Sequence, residues 1–219
     1  MFQNLFIQSA FAPETRFYFF SIVISVVISI TLHELAHGWA AIRLGDQTPI
    51  HSGHMTGNPL VHMGPFSIAA LLIAGIAWGQ MPIDPTRLRG KYAEAQVAFA
   101  GPAMNFLLSF LALTGLGLWL RFGGYSDTQV QHNTVNFLSD FGGINAVLGV
   151  FNLFPVPPLD GSHILANLNR KYALFIDDPA HQGVMILAFI FMFSAASVIF
   201  QPLFTAASSY THWIITVRF

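Results

Sequence analysis

There is no cysteine anywhere in the 219 residues. That excludes a disulfide framework, a thiolate zinc finger and a thiol nucleophile, and leaves histidine and carboxylate as the donors for any metal site. Charge is nearly as scarce. Asp, Glu, Lys and Arg make up 9% of the chain, against about 25% in an ordinary soluble domain. Hydrophobic residues make up 54%, the profile of an integral membrane protein. A net charge of −1 offers no basic surface, and no glycine-rich phosphate loop lies between a strand and a helix. Neither nucleic acid nor nucleotide is therefore expected as a partner. The opening MFQNLFIQSAFAPET lacks a basic residue before Arg16, unlike the n-region of a cleavable signal peptide, so the start is expected to be retained. No polar low-complexity or charged block marks a linker, and 1–219 reads as a single polytopic domain.

What is present is apolar sequence in long runs. A bilayer core needs about 20 residues of helix, and four stretches are long enough: 17–32, continuing in helical style to Ala41, then 95–120, 138–159 and 183–209. The last is either one tilted span or a pair broken near Pro202. A fifth stretch, FSIAALLIAGIAWG at 66–79, is bracketed by prolines and too short, and reads as a re-entrant or interfacial segment. Between it and the first helix, HSGHMTGNPLVHMG has turn residues and short β-compatible pieces. The expected fold is an all-α membrane protein of about four to six transmembrane helices, with the re-entrant segment and short β-strands near residues 45–64. Residues 49–63 then offer a sheet edge for an extended substrate. Gly101-Pro102 is expected to break a helical stretch, and Pro155, Pro157 and Pro158 to make the chain before Asp160 irregular.

Cytoplasmic loops are enriched in Lys and Arg. If the first helix ends inside and 66–79 does not cross, Arg43, Arg87, Arg89, Lys91, Arg170 and Lys171 lie inside, and Arg16, Arg121 and Arg218 outside. This orientation is preferred to its inverse.

The first apolar run ends in SITLHELAHGWAA, residues 29–41. His33 and His37 are four residues apart, one turn on a single helix face, and Glu34 borders that face. This is HExxH, in which two imidazoles hold zinc and the glutamate acts as general base on the metal-bound water. A solvated helix face accounts for such a triplet in many soluble proteins. Here ionisable groups in lipid cost at least about 2.5 kcal/mol each, which favours function. Catalytic zinc needs a third protein ligand, and the acids in or beside apolar segments are Asp140 and Asp160. With 66–79 not crossing, His33, His37 and Asp160 all lie toward the cytoplasmic ends of their segments, so Asp160 is preferred.

HELAH followed far downstream by NLFPVPPLDG resembles the site-2 protease family of intramembrane zinc metalloproteases. RLGD at 43–46, GNPLVHMGP at 57–65 and AGPAMN at 100–105 extend the resemblance over roughly residues 17–168. It is to the compact prokaryotic branch without a PDZ or CBS domain. The resemblance implies zinc, one ion per chain, on His33, His37 and Asp160, with Glu34 as base. It implies that Asn152 helps hold the substrate carbonyl or the tetrahedral intermediate, and it singles out Asn105 without a defined role. It implies cleavage of single-span or membrane-anchored proteins in the bilayer of a prokaryotic cytoplasmic membrane; the charge rule above puts the active site nearer the cytoplasm. Where many relatives have a lysine, this chain reads WGQMPIDP at 78–85, and no role for that lysine is carried over.

His163, three past Asp160, is a candidate supporting group. His51, His54 and His62 make either a second metal or proton-handling site or structural turn residues. Two competing functions use the same ligands: a non-haem iron oxygenase, whose facial triad is two His and one carboxylate, and a catalytically silent metal-binding membrane protein. The oxygenase gives Glu34 no role.

Overall fold

A computed structural model describes residues 5–123 and 128–217; Arg218, counted above among the outer basic residues, lies outside them. The first helix, α1 (Pro13–Arg43), opens with Pro at its first turn and Glu14 beside it, and closes on Arg43. Those positions suit proline's missing N–H and the helix dipole. At 31 residues with a mean hydropathy of 2.0 over its most apolar window, α1 is long enough to cross a bilayer. Its buried face carries Ser21, Ser25, Ser29, His33 and His37 at four-residue spacing, a seam of small and polar side chains rather than a leucine stripe.

The chain then turns through α2 (Thr48–His51) into α3 (Pro59–Ala74). Strands were expected near 45–64, but among the described residues no strand forms. Short polar side chains start helices here instead. Asp46 accepts from the Thr48 backbone N–H at 2.9 Å and Asn58 from that of Leu60 at 3.0 Å, and Pro49 and Pro59 occupy first-turn positions, where proline is favoured. The 49–63 sheet edge is therefore absent. The apolar stretch expected at 66–79 ends as helix at Ala74; α3 is kinked at Gly64-Pro65 and has only 16 residues, short of a span. Beyond it, 76–84 is non-helical and returns toward α1. Ser67 Oγ donates to the Trp78 carbonyl at 2.6 Å and accepts from its N–H at 2.9 Å, and the Gln80 N–H reaches the His62 carbonyl at 3.0 Å.

Next comes α4 (Ala93–Phe122), which passes through Gly101-Pro102 as one continuous helix, contrary to the expected break. Pro102 forfeits a single backbone bond, and Gly101 serves a packing purpose described below. Then follow α5 (Gln129–Asn152), α6 (Asp160–Leu168), α7 (Arg170–Asp177), α8 (Gln182–Ser194) and α9 (Ala196–Thr216). The proline-rich link 153–159 between α5 and α6 is non-helical, as expected. The central element is α4, packed against α1, α5, α6 and α9. Glycines let α5 close on it: a Cβ at Gly142 would lie 2.5 Å from Leu113 and one at Gly149 2.7 Å from Phe106, the small-residue contact that membrane helices use.

Among the described residues three helices, α1, α4 and α5, are long and apolar enough to cross a membrane. A fourth span requires joining α7 to residues 179–194 across a 76° bend. The count is thus three, or four with that pair, at the lower end of the four to six expected. The stretch 183–209 divides at Ala195 rather than near Pro202, which lies inside α9. Of its two pieces, α8 has only 13 residues and α9 is too rich in Ser, Thr, Gln and His.

Asp46 ties the end of α1 to the returning segment. It accepts from Thr48 Oγ1 at 2.5 Å and from the Asp84 N–H at 2.8 Å. Burial pushes its carboxyl up, but hydrogen bonds from Thr48 and the Asp84 and Thr48 N–H groups outweigh this and hold it below the usual carboxylate range. A depressed folded value stabilises the fold above the unfolded pKa of about 3.9, and that stabilisation is lost as pH falls through the folded value. Asp46→Asn should lower Tm by several degrees at pH 7 and show a shallower loss between about pH 4 and 2 than wild type. Thermal unfolding in detergent across that range checks both.

Candidate metal centre

Helical spacing brings His33 and His37 together. Their rings lie edge to face with centroids 4.6 Å apart and their Nε2 atoms are 3.0 Å from each other. Asp160, the first residue of α6, comes up to the same point. Its Oδ2 is 3.1 Å from His33 Nε2 and its Oδ1 3.3 Å from His37 Nε2. It can do so because Gly161 follows it: a Cβ there would sit 2.1 Å from the Leu153 carbonyl oxygen, so only glycine lets α6 start this close to the end of α5. Among the described residues His33, His37 and Asp160 are the one group of ligand side chains close enough to share an ion. The expected trio thus converges. Asp140, the rejected alternative, lies elsewhere and accepts from Ser21 Oγ at 3.2 Å.

The donor set fits a divalent cation. His37 Nδ1 is 2.7 Å from the Val97 carbonyl, which can only accept, so Nδ1 carries a proton and in the neutral ring Nε2 presents a lone pair. His33 Nδ1 faces the side-chain oxygen of Asn105 at 2.6 Å, with the same consequence. With both rings neutral, two lone pairs and a carboxylate face one another, the donors a cation needs, and buried Asp160 Oδ2 has no hydrogen-bond partner. Two imidazoles and a carboxylate are a catalytic zinc set with one position left open. Each imidazole is also oriented by an oxygen on its other nitrogen, as metal-bound histidines are.

All three ligands line a cavity of 630 Å³ that also takes in Glu34, Asn152, His163 and residues 77–81 and 83. Glu34 is buried beside the two histidines and, among the described residues, its carboxylate makes no hydrogen bond to protein. A Cβ on Gly79 would lie 2.5 Å from Glu34 Oε1, so the returning segment passes directly over that acid. Asn152 donates to the Leu148 carbonyl at 3.0 Å and, among the described residues, makes no hydrogen bond to the three ligands. His163 is exposed on the cavity rim and makes no bond to Asp160 among the described residues. His62 is fully buried against the Thr56 carbonyl at 2.7 Å, its ring 6.3 Å from that of His54; with His51 they form no ligand cluster.

Sequence reasoning missed Gly101 and the Val97 carbonyl. They lie four residues apart on α4 and face the imidazoles; a Cβ at Gly101 would be 2.4 Å from His37 Nε2 and 2.5 Å from His33. The signal was present in AGPAMN, where glycine opens the helix surface one turn before Asn105.

A sequence model of peptidase family M50 matches residues 21–122 and 122–200. The chain belongs to peptidase family M50, the site-2 protease family. Among relatives in that company, "Putative zinc metalloprotease YwhC" of Bacillus subtilis is 36% identical over 150 residues, 67% of this chain and 68% of that protein. "Putative zinc metalloprotease Rip2" of Mycolicibacterium smegmatis is 29% identical over 189 residues, 81% of this chain and 68% of the relative. "Zinc metalloprotease MJ0392" of Methanocaldococcus jannaschii is 28% identical over 150 residues, 68% of this chain but 34% of the longer relative. No solved structure matches the chain significantly. M50 membership and these names support a protease and point to zinc as the metal that suits the donor set.

In this M50 chain the candidate metal site has room only because α4 has no side chain at 101. Gly101→Ala should weaken zinc binding by at least about 10-fold, the scale on which displaced ligand supports act. Gly115→Ala, whose Cβ meets nothing within 4 Å, should bind zinc as wild type does. Zinc retained after competition with a graded series of chelators measures the difference.

Proposed function

We propose that the protein is a zinc-dependent intramembrane endopeptidase of the site-2 type, one zinc per chain, cutting the membrane-spanning or membrane-anchored segments of other proteins. The observation that carries this reading is the buried meeting of His33, His37 and Asp160 with Glu34 alongside, the histidines and the glutamate on α1, a helix apolar enough to cross a bilayer. The same three donors suit a non-haem iron oxygenase. Glu34 beside them and M50 membership favour hydrolysis, and nothing observed favours a silent metal-binding protein.

Zinc bound by these residues supplies a polarised carbonyl and a water of pKa near 7. The chain's own groups do the rest. Glu34 faces the cavity with no competing donor among the described residues, so it takes the proton of the attacking water and passes it to the leaving amine. Asn152 has an amide proton left beyond its bond to Leu148 and lines the same cavity, which suits it to hold the substrate carbonyl as negative charge develops there.

A substrate helix must expose its backbone before it can be attacked. The returning segment offers a template. The Trp78, Gln80 and Asp84 N–H groups are bonded inward, whereas those of Gly79, Met81 and Ile83 have no partner among the described residues. This alternation is that of a strand with one free edge, and an extended substrate can pair with such an edge. It takes over the part first assigned to 49–63.

The basic residues support an active site nearer the cytoplasmic side of a prokaryotic cytoplasmic membrane. His33 and His37 near the end of α1 lie against the opening turns of α4, so the two helices run antiparallel. Arg43, Arg87, Arg89 and Lys91 therefore gather at the metal end and Arg16 and Arg121 at the other, the distribution expected if the metal end is inside.

Purified zinc-loaded protein, Glu34→Gln and Ile83→Pro should be compared on a panel of single-span substrates. Glu34→Gln should bind zinc yet cleave at least about 100-fold more slowly; cleavage at the wild-type rate contradicts the role of Glu34. Ile83→Pro deletes an N–H that no protein group uses, so zinc should stay bound while cleavage of transmembrane substrates falls about 10-fold or more, the scale of one lost substrate hydrogen bond. Unchanged cleavage by that variant would remove the edge from the account.

A further inference from the structure

Asn145 sits in the middle of α5, fully buried, seven residues before Asn152. A buried amide in a membrane helix costs free energy unless its groups are bonded, and this one is bonded at both ends. Its Nδ2 donates to the Phe141 carbonyl at 2.8 Å, and its Oδ1 accepts from Asn105 Nδ2 at 3.0 Å. Asn105, 1% exposed, presents its own Oδ1 to His33 Nδ1 at 2.6 Å.

The direction of an amide follows from its partners, and here every choice descends from one atom. The Phe141 carbonyl only accepts, so it takes the nitrogen of Asn145. The oxygen of Asn145 then faces Asn105 and takes its nitrogen. The oxygen of Asn105 is left for His33, whose ring proton must sit on Nδ1, with the Nε2 lone pair aimed at His37 and Asp160. Were Asn105 reversed, its NH₂ would face His33 Nδ1 and drive the proton to Nε2, where a metal must bind. His37 needs no such device, because the Val97 backbone carbonyl cannot rotate.

We infer that Asn145 is a positioning residue: with Asn105 it forms a one-way amide relay from the Phe141 carbonyl that holds His33 in the tautomer whose Nε2 can bind metal. The inference rests on the zinc reading above, and it makes metal affinity depend on the contact between α4 and α5, a helix that contributes no ligand.

The test is a double-mutant cycle read by zinc affinity in chelator competition, with thermal unfolding of the metal-free proteins as the check on folding. Asn145→Ala frees Asn105 to rotate and should weaken zinc about 10- to 100-fold, the usual effect of losing a ligand's outer partner. Asn105→Asp offers oxygen at both ends and needs no orienting. In that background Asn145→Ala should cost nothing further, and by removing the Asn145 oxygen from beside a carboxylate it should restore some affinity. The relay is overturned if Asn145→Ala binds zinc as wild type does, or if its loss is equally large beside Asn105→Asp. A second readout needs no metal: long-range ¹H–¹⁵N spectra should show His33 protonated at Nδ1 in the wild type and as a mixture of tautomers in Asn145→Ala. A wild-type His33 protonated at Nε2 overturns the relay. Failure of the wild type to bind zinc sinks the metalloprotease reading instead, and the tautomer spectra still decide the relay.

Discussion

Burying two imidazoles and a carboxylate within 3.3 Å of one another, in a bundle of apolar helices, sets the demand that the rest of this structure meets. Each imidazole is held at its far nitrogen by Val97 or Asn105, so with both rings neutral the near nitrogens repel each other and Asp160 unless a cation lies between them. Burial among apolar helices screens such repulsion only weakly. The two imidazoles are therefore held from outside, by oxygens of α4, and the candidate site forms because α1, α4, α5 and the start of α6 pack closely.

Close packing explains the residues around the ligands. Gly101 clears the imidazoles, Gly161 lets Asp160 reach them, and Gly142 and Gly149 let α5 lie against α4. The serines of α1 keep its ligand-bearing face narrow. Leucines at these places would bury more apolar surface, yet they would separate the helices and with them the ligands. Proline acts in the same direction between α5 and α6, where a continuous helix would carry Asp160 past the histidines.

Much of this was legible in the amino-acid order. HELAH states its geometry through the helical period, and Asp160 followed from membrane depth, since ionisable groups in apolar runs are costly enough to be few. The proline-rich link before it also behaved as proline chemistry predicts. The failures share a cause, in that local signals were read without their partners. Asn58-Pro59 looked like a turn, but a capping amide before a first-turn proline starts a helix as readily. Gly101-Pro102 looked like a break, yet in a bundle the neighbouring helices keep such a segment helical. The segment 77–83 had no periodicity of its own; its position over Glu34 depends on Ser67 and His62, which come from another element. Asn145 gave only the faint sign of an amide inside an apolar run.

The central claim is that these side chains are built to bind zinc, and X-ray absorption at the zinc K-edge of the purified, metal-loaded protein tests it most directly. The account predicts about four donors, with two imidazole nitrogens at ~2.0–2.1 Å and oxygens at ~2.0–2.2 Å, and loss of the carboxylate component in Asp160→Ala. A six-coordinate, all-oxygen shell, or a spectrum that Asp160→Ala leaves unchanged, would contradict it.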